Sequence, residues 1–317
     1  MSKLVSIKSA KHHWWPETLS SYWVDEEGGV TWLRPDGTSI KSSPRKFGAI
    51  KDGHTIRMSD LPGEESVWDS SFEKDFDQAD GRFHRVLNWL NDLDRCGPPF
   101  ETSLTRRFVA TPALQADFDE LLVCAFSLIV RSPQFRQIAG AYSIHHGMPG
   151  HERSVRRVMM GNMRNGLENL IKAFGGSGKA VAIFSPEREF IFGDGFFTNV
   201  TPPAQHMLRP RAIVPFTPSL TILIQKPGSY MVDPNLCTLV VNRQEADELN
   251  RVVQIYAKDA VFYRSERPSI LPEFERGEHL RFADDRNFAD WLCYHVPGVR
   301  DEATPDWFHD LMDGRLQ

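Results

Sequence analysis

Cysteine is scarce in this chain: Cys96, Cys124, Cys237 and Cys293 are scattered over 317 residues, and no two of them form a C-x-x-C pair. That spacing excludes zinc-ribbon and thioredoxin-like sites and leaves reduced, structural thiols. Long apolar runs are missing too. Nowhere do the roughly 18 consecutive apolar residues of a membrane span occur. The opening Met1-Ser2-Lys3-Leu4-Val5-Ser6-Ile7-Lys8 also lacks the apolar stretch of a secretory signal. These absences predict a cytoplasmic protein with no membrane partner. An excess of positive charge is missing as well: the net charge is -5 and the pI about 6.1. General coating of nucleic acid is thereby disfavoured, and any contact with phosphates must come from a local basic patch. The chain has no internal repeat and no low-complexity tract.

What is present describes an ordinary globular protein, with 41% hydrophobic, 25% charged and 11% aromatic residues. Its length suffices for one large domain or two interlocked ones. Near the start, Arg34-Pro35-Asp36-Gly37 is a turn between Gly29 to Leu33 and Thr38 to Lys41, which predicts a β-hairpin. Phe72, Phe76, Phe83, Val86, Leu87 and Leu90 recur at helical spacing, and Gly97-Pro98-Pro99 ends that helix. Thr111-Pro112 reads as a cap followed by proline at the first helical position, opening a buried helix through Leu121 and Val130. That helix should stop at Arg131-Ser132-Pro133. A loop carrying His145, His146, Pro149 and His151 is expected next. A third helix then runs from about Arg153 to Phe174, closed by Gly175-Gly176.

Beyond this point the pattern turns to strands, at Ala180 to Phe184, Glu189 to Phe192, Ala212 to Phe216, Leu220 to Gln225 and Cys237 to Val241. A helix over Arg243 to Ala257 and a strand at Ala260 to Tyr263 follow. The expectation is an α+β fold in which an N-terminal hairpin and a helical half pack on a mostly antiparallel sheet. A single domain should cover 1–270, helical over about 70–175 and sheet over about 178–265. A charged extension, 271–317, would pack on it through Trp291 and Trp307.

The richest chemistry stands at Lys11-His12-His13-Trp14-Trp15-Pro16. Paired imidazoles against bulky rings suit a preorganised site, since the rings exclude water while the nitrogens remain free to move protons or grip an anion. A pair of hydrogen-bonded core histidines is the competing account. Asp194, between Gly193 and Gly195 at a strand end, reads either as an exposed acid or as a turn aspartate. Arg153, Arg157 and Arg164 share one arc of a helix, a cationic stripe that suits phosphates or pairs with acids such as Glu168.

Two tempting motifs fail or stay minor. Gly175-Gly176-Ser177-Gly178-Lys179 resembles a phosphate loop, but Ala173 replaces its first glycine, Ala180 replaces its hydroxyl, and the order is helix to strand. His145, His146 and His151 with Glu152 hold metal-competent groups at a spacing that matches no metal motif, so a solvated loop is preferred.

In order and spacing, His12-His13-x-x-Pro16, Arg131-Ser132-Pro133, Gly193-Asp194, Pro215-Phe216-Thr217-Pro218 and Val241-Asn242 resemble a bacterial family known as domain of unknown function 4238. The resemblance covers about Lys11 to Arg264. Glu17 stands where that family has glutamine, and Phe192-Gly193-Asp194-Gly195-Phe196 keeps only the aspartate of its Thr-Ser-Asp-Asn-Pro segment. The resemblance implies a shared polar site built from His12, His13, Arg131, Asp194 and Asn242. It implies no reaction.

The site composition suits a metal-independent, cofactor-free hydrolase of phosphodiester or other anionic substrates, for instance a nuclease active in defence against phage or mobile elements. His12 or His13 would transfer protons while the other orients, Asp194 would set the tautomer, and Arg131 would hold the anion. Arg153, Arg157, Arg164 and Asn242 would bind a nucleic acid or phosphate-bearing ligand. The alternative is a non-catalytic binding or sensor protein in which the same groups form a rigid polar core.

Overall fold

The computed structural model describes residues 11–56, 58, 69–97, 103–145, 152–196, 211–227, 230–277 and 287–299. The fold is α+β. Its central sheet has five strands in the order β10-β11-β8-β12-β7: Arg211–Thr217, Leu220–Gln225, Lys179–Phe184, Leu236–Val240 and Val109–Ala110. All neighbours are antiparallel except β8 and β12, which run parallel. Every residue of β8, β11 and β12 is buried. Runs such as Ala180-Val181-Ala182-Ile183-Phe184 are therefore continuously apolar, because both faces are covered.

A second sheet, β3-β2-β13-β9, joins a hairpin from the N-terminal part to strands from the second half of the chain. The predicted hairpin is β2 (Val30–Leu33) and β3 (Ser39–Ser42), with Trp32 opposite Ile40. Gly37 supplies its turn at φ +82°. β13 (Val261–Tyr263) adds to β2, and the short β9 (Phe192–Gly193) adds to β13. The strand expected over Glu189 to Phe192 shrinks to that pair because the upstream amides go elsewhere. Phe190 N–H bonds Pro218 O, and Ile191 N–H bonds the Asn250 side chain.

Four long helices form the other layer: α2 (Glu73–Asn91), α3 (Gln115–Arg131), α4 (Pro133–His145) and α5 (Glu152–Phe174). The structure corrects two expectations here. Thr111-Pro112 does not open α3. Thr111 N–H bonds Leu236 O at the end of the β7 ladder, so the helix begins three residues after Pro112. The expected loop after Pro133 is largely α4, since proline is compatible with a helix's first position and Ser132, in extended conformation, makes the corner alone. α5 does end where glycine was expected to close it, with Gly176 at φ +71°.

Beside these helices, α1 (Glu17–Ser20) follows Pro16 and α6 (Arg243–Tyr256) returns the chain to β13. α7 (Pro272–Glu275) and α8 (Phe288–His295) belong to the C-terminal extension. α8 docks through buried Leu292 and Cys293, and the Gln225 side chain bonds Cys293 O. Trp291 is exposed and stacks on Phe288 and His295, so it does not serve as the anchor expected of it; Trp307 lies outside the described residues. Among the described residues no helix is long and apolar enough to cross a membrane.

One aromatic hub locks the N-terminal strand in place. Trp15 stacks on Phe192 at 3.9 Å, Trp14 tilts against Phe262, and the Trp23 indole N–H bonds Phe216 O of β10. Burying each of these indoles contributes on the order of 2–3 kcal/mol. The hub fixes the chain just after His13, which decides where both imidazoles lie.

Candidate functional site

β1 (Lys11–His13) pairs with β4 (Ala49–Lys51), placing His12 opposite Ile50 and His13 opposite Ala49. After β4 the chain turns through Asp52, at φ 52°, and Gly53 into β5 (Thr55–Ile56). Gly53 N–H bonds Ile50 O and Thr55 N–H bonds Asp52 O, so the chain turns twice between Ile50 and Thr55. The second turn carries His54. Its backbone N–H donates to His12 Nδ1 at 2.8 Å, and the two rings stack with centroids 5.2 Å apart and an 11° tilt. β5 pairs with β6 (Ser70–Ser71), so the chain re-enters beside His54 and begins α2 with Glu73. The Glu73 carboxylate contacts His54 Nδ1 directly.

These contacts fix the tautomers. His12 Nδ1 accepts an amide hydrogen, so its neutral ring carries the proton on Nε2. His54 shares a proton with Glu73 on one side. Its Nε2 is buried and has no hydrogen-bond partner among the described residues. Phe72 and Phe76 pack against the His54 ring at 5.5 and 4.7 Å. Burial, reinforced by the charges of Arg136 and Arg131, pushes the His54 pKa down to about 2, so the ring is neutral. Burial also raises the Glu73 pKa, opposed by the nearby His12 and Arg131. Glu73 is the member that reaches solvent, its side chain 32% exposed.

Arg136 of α4 closes the inner side. Its Nη1 donates to Gly53 O at 2.7 Å and its Nε to Arg131 O at 3.1 Å. Its Nη2 is buried beside the histidine pair without a partner among the described residues. Burial and the neighbouring Arg131 lower its pKa to about 10.

The structure distributes the expected site residues unevenly. His12 belongs to this cluster. His13, on the opposite face of β1, is half-buried, with Nε2 at 3.2 Å from Arg45 O. Arg131 lies near the cluster, but both its Nη atoms are taken by Asp80 and its Nε by Ser127 O, leaving no fork for an external anion. Asp194 does not set a histidine tautomer. Its two carboxylate oxygens accept the backbone amides of Lys258 and Asp259 at 2.6 and 2.7 Å, and Glu73 is the carboxylate that meets an imidazole. Gly195 was expected to free that carboxylate; it serves a close approach, since a Cβ there would stand 2.3 Å from Tyr256 O.

Asn242 is a helix cap. It accepts Glu245 N–H while Glu245 accepts Asn242 N–H, and Glu245 also pairs with Arg107. Such a capping box accounts for asparagine there without a ligand. Of the arginine stripe, Arg157 donates to Met58 O and Arg164 lies 3.6 Å from Asp75, so this face meets the protein's own carbonyls and acids. The Arg153 side chain lies outside the described residues, as do His146, His151 and the side chain of His145. Arg156, one residue off the stripe, reaches Asp52 O at 3.1 Å and so borders the His54 turn.

Sequence reading missed His54, Glu73 and Arg136. The signal available was Asp52-Gly53 between Ala49-Ile50-Lys51 and Thr55-Ile56, a turn hidden in a polar stretch. One nitrogen from each of His12 and His54 and one oxygen of Glu73 lie within 4.8 Å of one another, making this the described cluster with the donors for a metal ion. No protein-family model, no curated protein and no solved structure matches the chain.

Proposed function

We propose that the protein is a cytoplasmic hydrolase acting on a phosphodiester or related anionic substrate, on the solvent-reaching side of the His12, His54 and Glu73 cluster. The observation that carries this reading is a carboxylate held on a buried, neutral imidazole against which a second imidazole is stacked. Pairing titratable groups so that their environments hold them in different protonation states is how acid–base sites are built. His12 orients, being buried and fixed by an amide. His13, half-buried and within electrostatic range of Glu73, is the imidazole suited to exchange protons with a substrate.

The rim favours an anion. Lys11 and Lys51 are both exposed and stand directly opposite each other in the β1–β4 ladder. Like charges so placed disfavour the pairing unless an anion lies between them. Arg156 adds a third cation beside the same turn. A nucleic acid or another phosphate-bearing ligand meets this description.

The test is cleavage of single-stranded RNA, single-stranded DNA and a chromogenic phosphodiester by the purified chain. His13→Asn should lower the rate by about 100-fold or more, the usual worth of a proton-transfer group. Lys51→Ala should weaken substrate binding with little effect on kcat. Absence of cleavage across all three substrates, or a His13→Asn protein at full rate, would overturn the reading. The complete burial of His54 favours a second one, a non-catalytic protein whose polar cluster is structural. In that case replacing His12 and His13 together lowers the melting temperature substantially and changes no activity.

A further inference from the structure

Proton transfer does not exhaust what the buried cluster can do. Its three side chains come from separate segments: His12 from β1, His54 from the β4–β5 turn and Glu73 from the first turn of α2. Their donor atoms nevertheless converge to within 4.8 Å. Two imidazoles and one carboxylate are the donor set of borderline divalent transition ions, and three protein ligands leave a coordination position open for water.

Two further features point the same way. His54 Nε2 is fully buried without a partner among the described residues, so the ring as folded leaves one nitrogen's hydrogen-bonding capacity unused. The wall around it is apolar, formed by Phe72 and Phe76, as suits a site that shields an ion from bulk water. Among the described guanidiniums nearby, Arg131 is neutralised by Asp80, while Arg136, tied to Gly53 O and Arg131 O, and Arg156 at the Asp52 carbonyl are opposing charges that an ion must offset.

We propose that His12, His54 and Glu73 bind one divalent transition-metal ion of the zinc class, with the open coordination position facing the solvent-reaching side of Glu73. Its ligands are not His145, His146, His151 and Glu152, where the sequence had offered a metal alternative; those side chains lie outside the described residues. The assignment stands on donor geometry, separately from whether the protein hydrolyses anything.

The full-length chain, stripped with chelator and dialysed, is titrated with zinc and with cobalt alone, reading heat and the visible absorption of bound cobalt. One ion per chain is expected, with the absorption of a four- or five-coordinate cobalt site. Glu73→Gln should weaken binding about 10-fold or more while melting like wild type without metal, because its side chain is partly exposed and Gln keeps an oxygen beside His54. His54→Asn should abolish the cobalt spectrum. Wild-type protein that takes up no stoichiometric ion, or Glu73→Gln protein that binds as tightly as wild type, would overturn the site. Uptake without cleavage of any phosphodiester leaves the site standing and removes only the hydrolytic reading; cleavage undiminished in stripped protein that takes up no ion does the reverse.

Discussion

Arg131 grips Asp80 with both ends of its guanidinium, Nη1 on Oδ2 at 3.0 Å and Nη2 on Oδ1 at 2.7 Å, while Phe76 lies under its plane at 4.8 Å. Arg131 is fully buried and the Asp80 side chain is partly exposed, so the two ends of the pair are not equivalent. Removing the acid strands a cation inside the protein. Removing the cation leaves an acid that water can reach. Asp80→Ala should therefore cost about 3 kcal/mol, the lower end for breaking a buried pair. Arg131→Met should cost less, and the double variant should recover on the order of 1 kcal/mol relative to additivity. Urea unfolding of the three variants checks this; strict additivity would show that the pair is not coupled.

Asp194 makes a pH-dependent contribution to stability. Burial outweighs the two amide bonds and lifts its carboxyl from 3.8 to about 6. The folded protein then holds this proton more tightly than the unfolded chain does. The stabilisation is fully present below the unfolded value and is lost as pH rises through the folded one, between about pH 4 and 6. Its size is on the order of 1–3 kcal/mol. Glu73 shifts in the same direction, so the difference between wild type and Asp194→Asn isolates Asp194. Asn keeps one acceptor but turns an NH2 toward a second amide donor. Wild type should therefore be the more stable at pH 4, and the gap should narrow by pH 7. Unfolding midpoints that stay parallel across that range would contradict the shift.

How much of this was legible beforehand depended on whether a residue's partner is close in sequence. The β2–β3 hairpin was readable because Pro35-Asp36-Gly37 writes its turn locally, and α2, α5 and α6 because their apolar stripes repeat at 3.6 residues. α4 was hidden by Pro133, which starts a helix as readily as it ends one. His12 stood out in the sequence beside the tryptophans, and the structure places it in the buried cluster. His54 and Glu73 did not stand out, because what gathers them is the pairing of β1 with β4 and of β5 with β6, contacts between segments of two to four residues with little pattern of their own. Arg131 and Asp194 looked available because a sequence shows a charged group without showing the Asp80 or the Lys258 amide that occupies it. Asn242 illustrates the opposite case: Asn-x-x-Glu before an amphipathic run spells a capping box, and the structure contains one.

Glycine is where one substitution should act with opposite signs at two sites of this chain. Gly195 stands where α6 ends against the Asp194 corner; an added Cβ would meet Tyr256 O at 2.3 Å and the Gln134 side chain at 2.5 Å. The carbonyl belongs to backbone and Gln134 is itself bonded to Tyr256 O and to Phe196 N–H, so neither gives way cheaply. Gly195→Ala should cost about 3 kcal/mol or more, as overpacking against fixed groups does. Gly81 lies on the exposed face of α2, with nothing within 4 Å of a built Cβ. There the methyl meets no neighbour, and the backbone freedom that glycine adds to the unfolded chain is removed, so Gly81→Ala should stabilise by about 0.5–1 kcal/mol. Thermal melts of the two single variants should straddle wild type. A Gly195→Ala protein that melts with wild type would mean that α6 can withdraw from the corner, and the hold of Asp194 on the Lys258 and Asp259 amides would have to loosen with it.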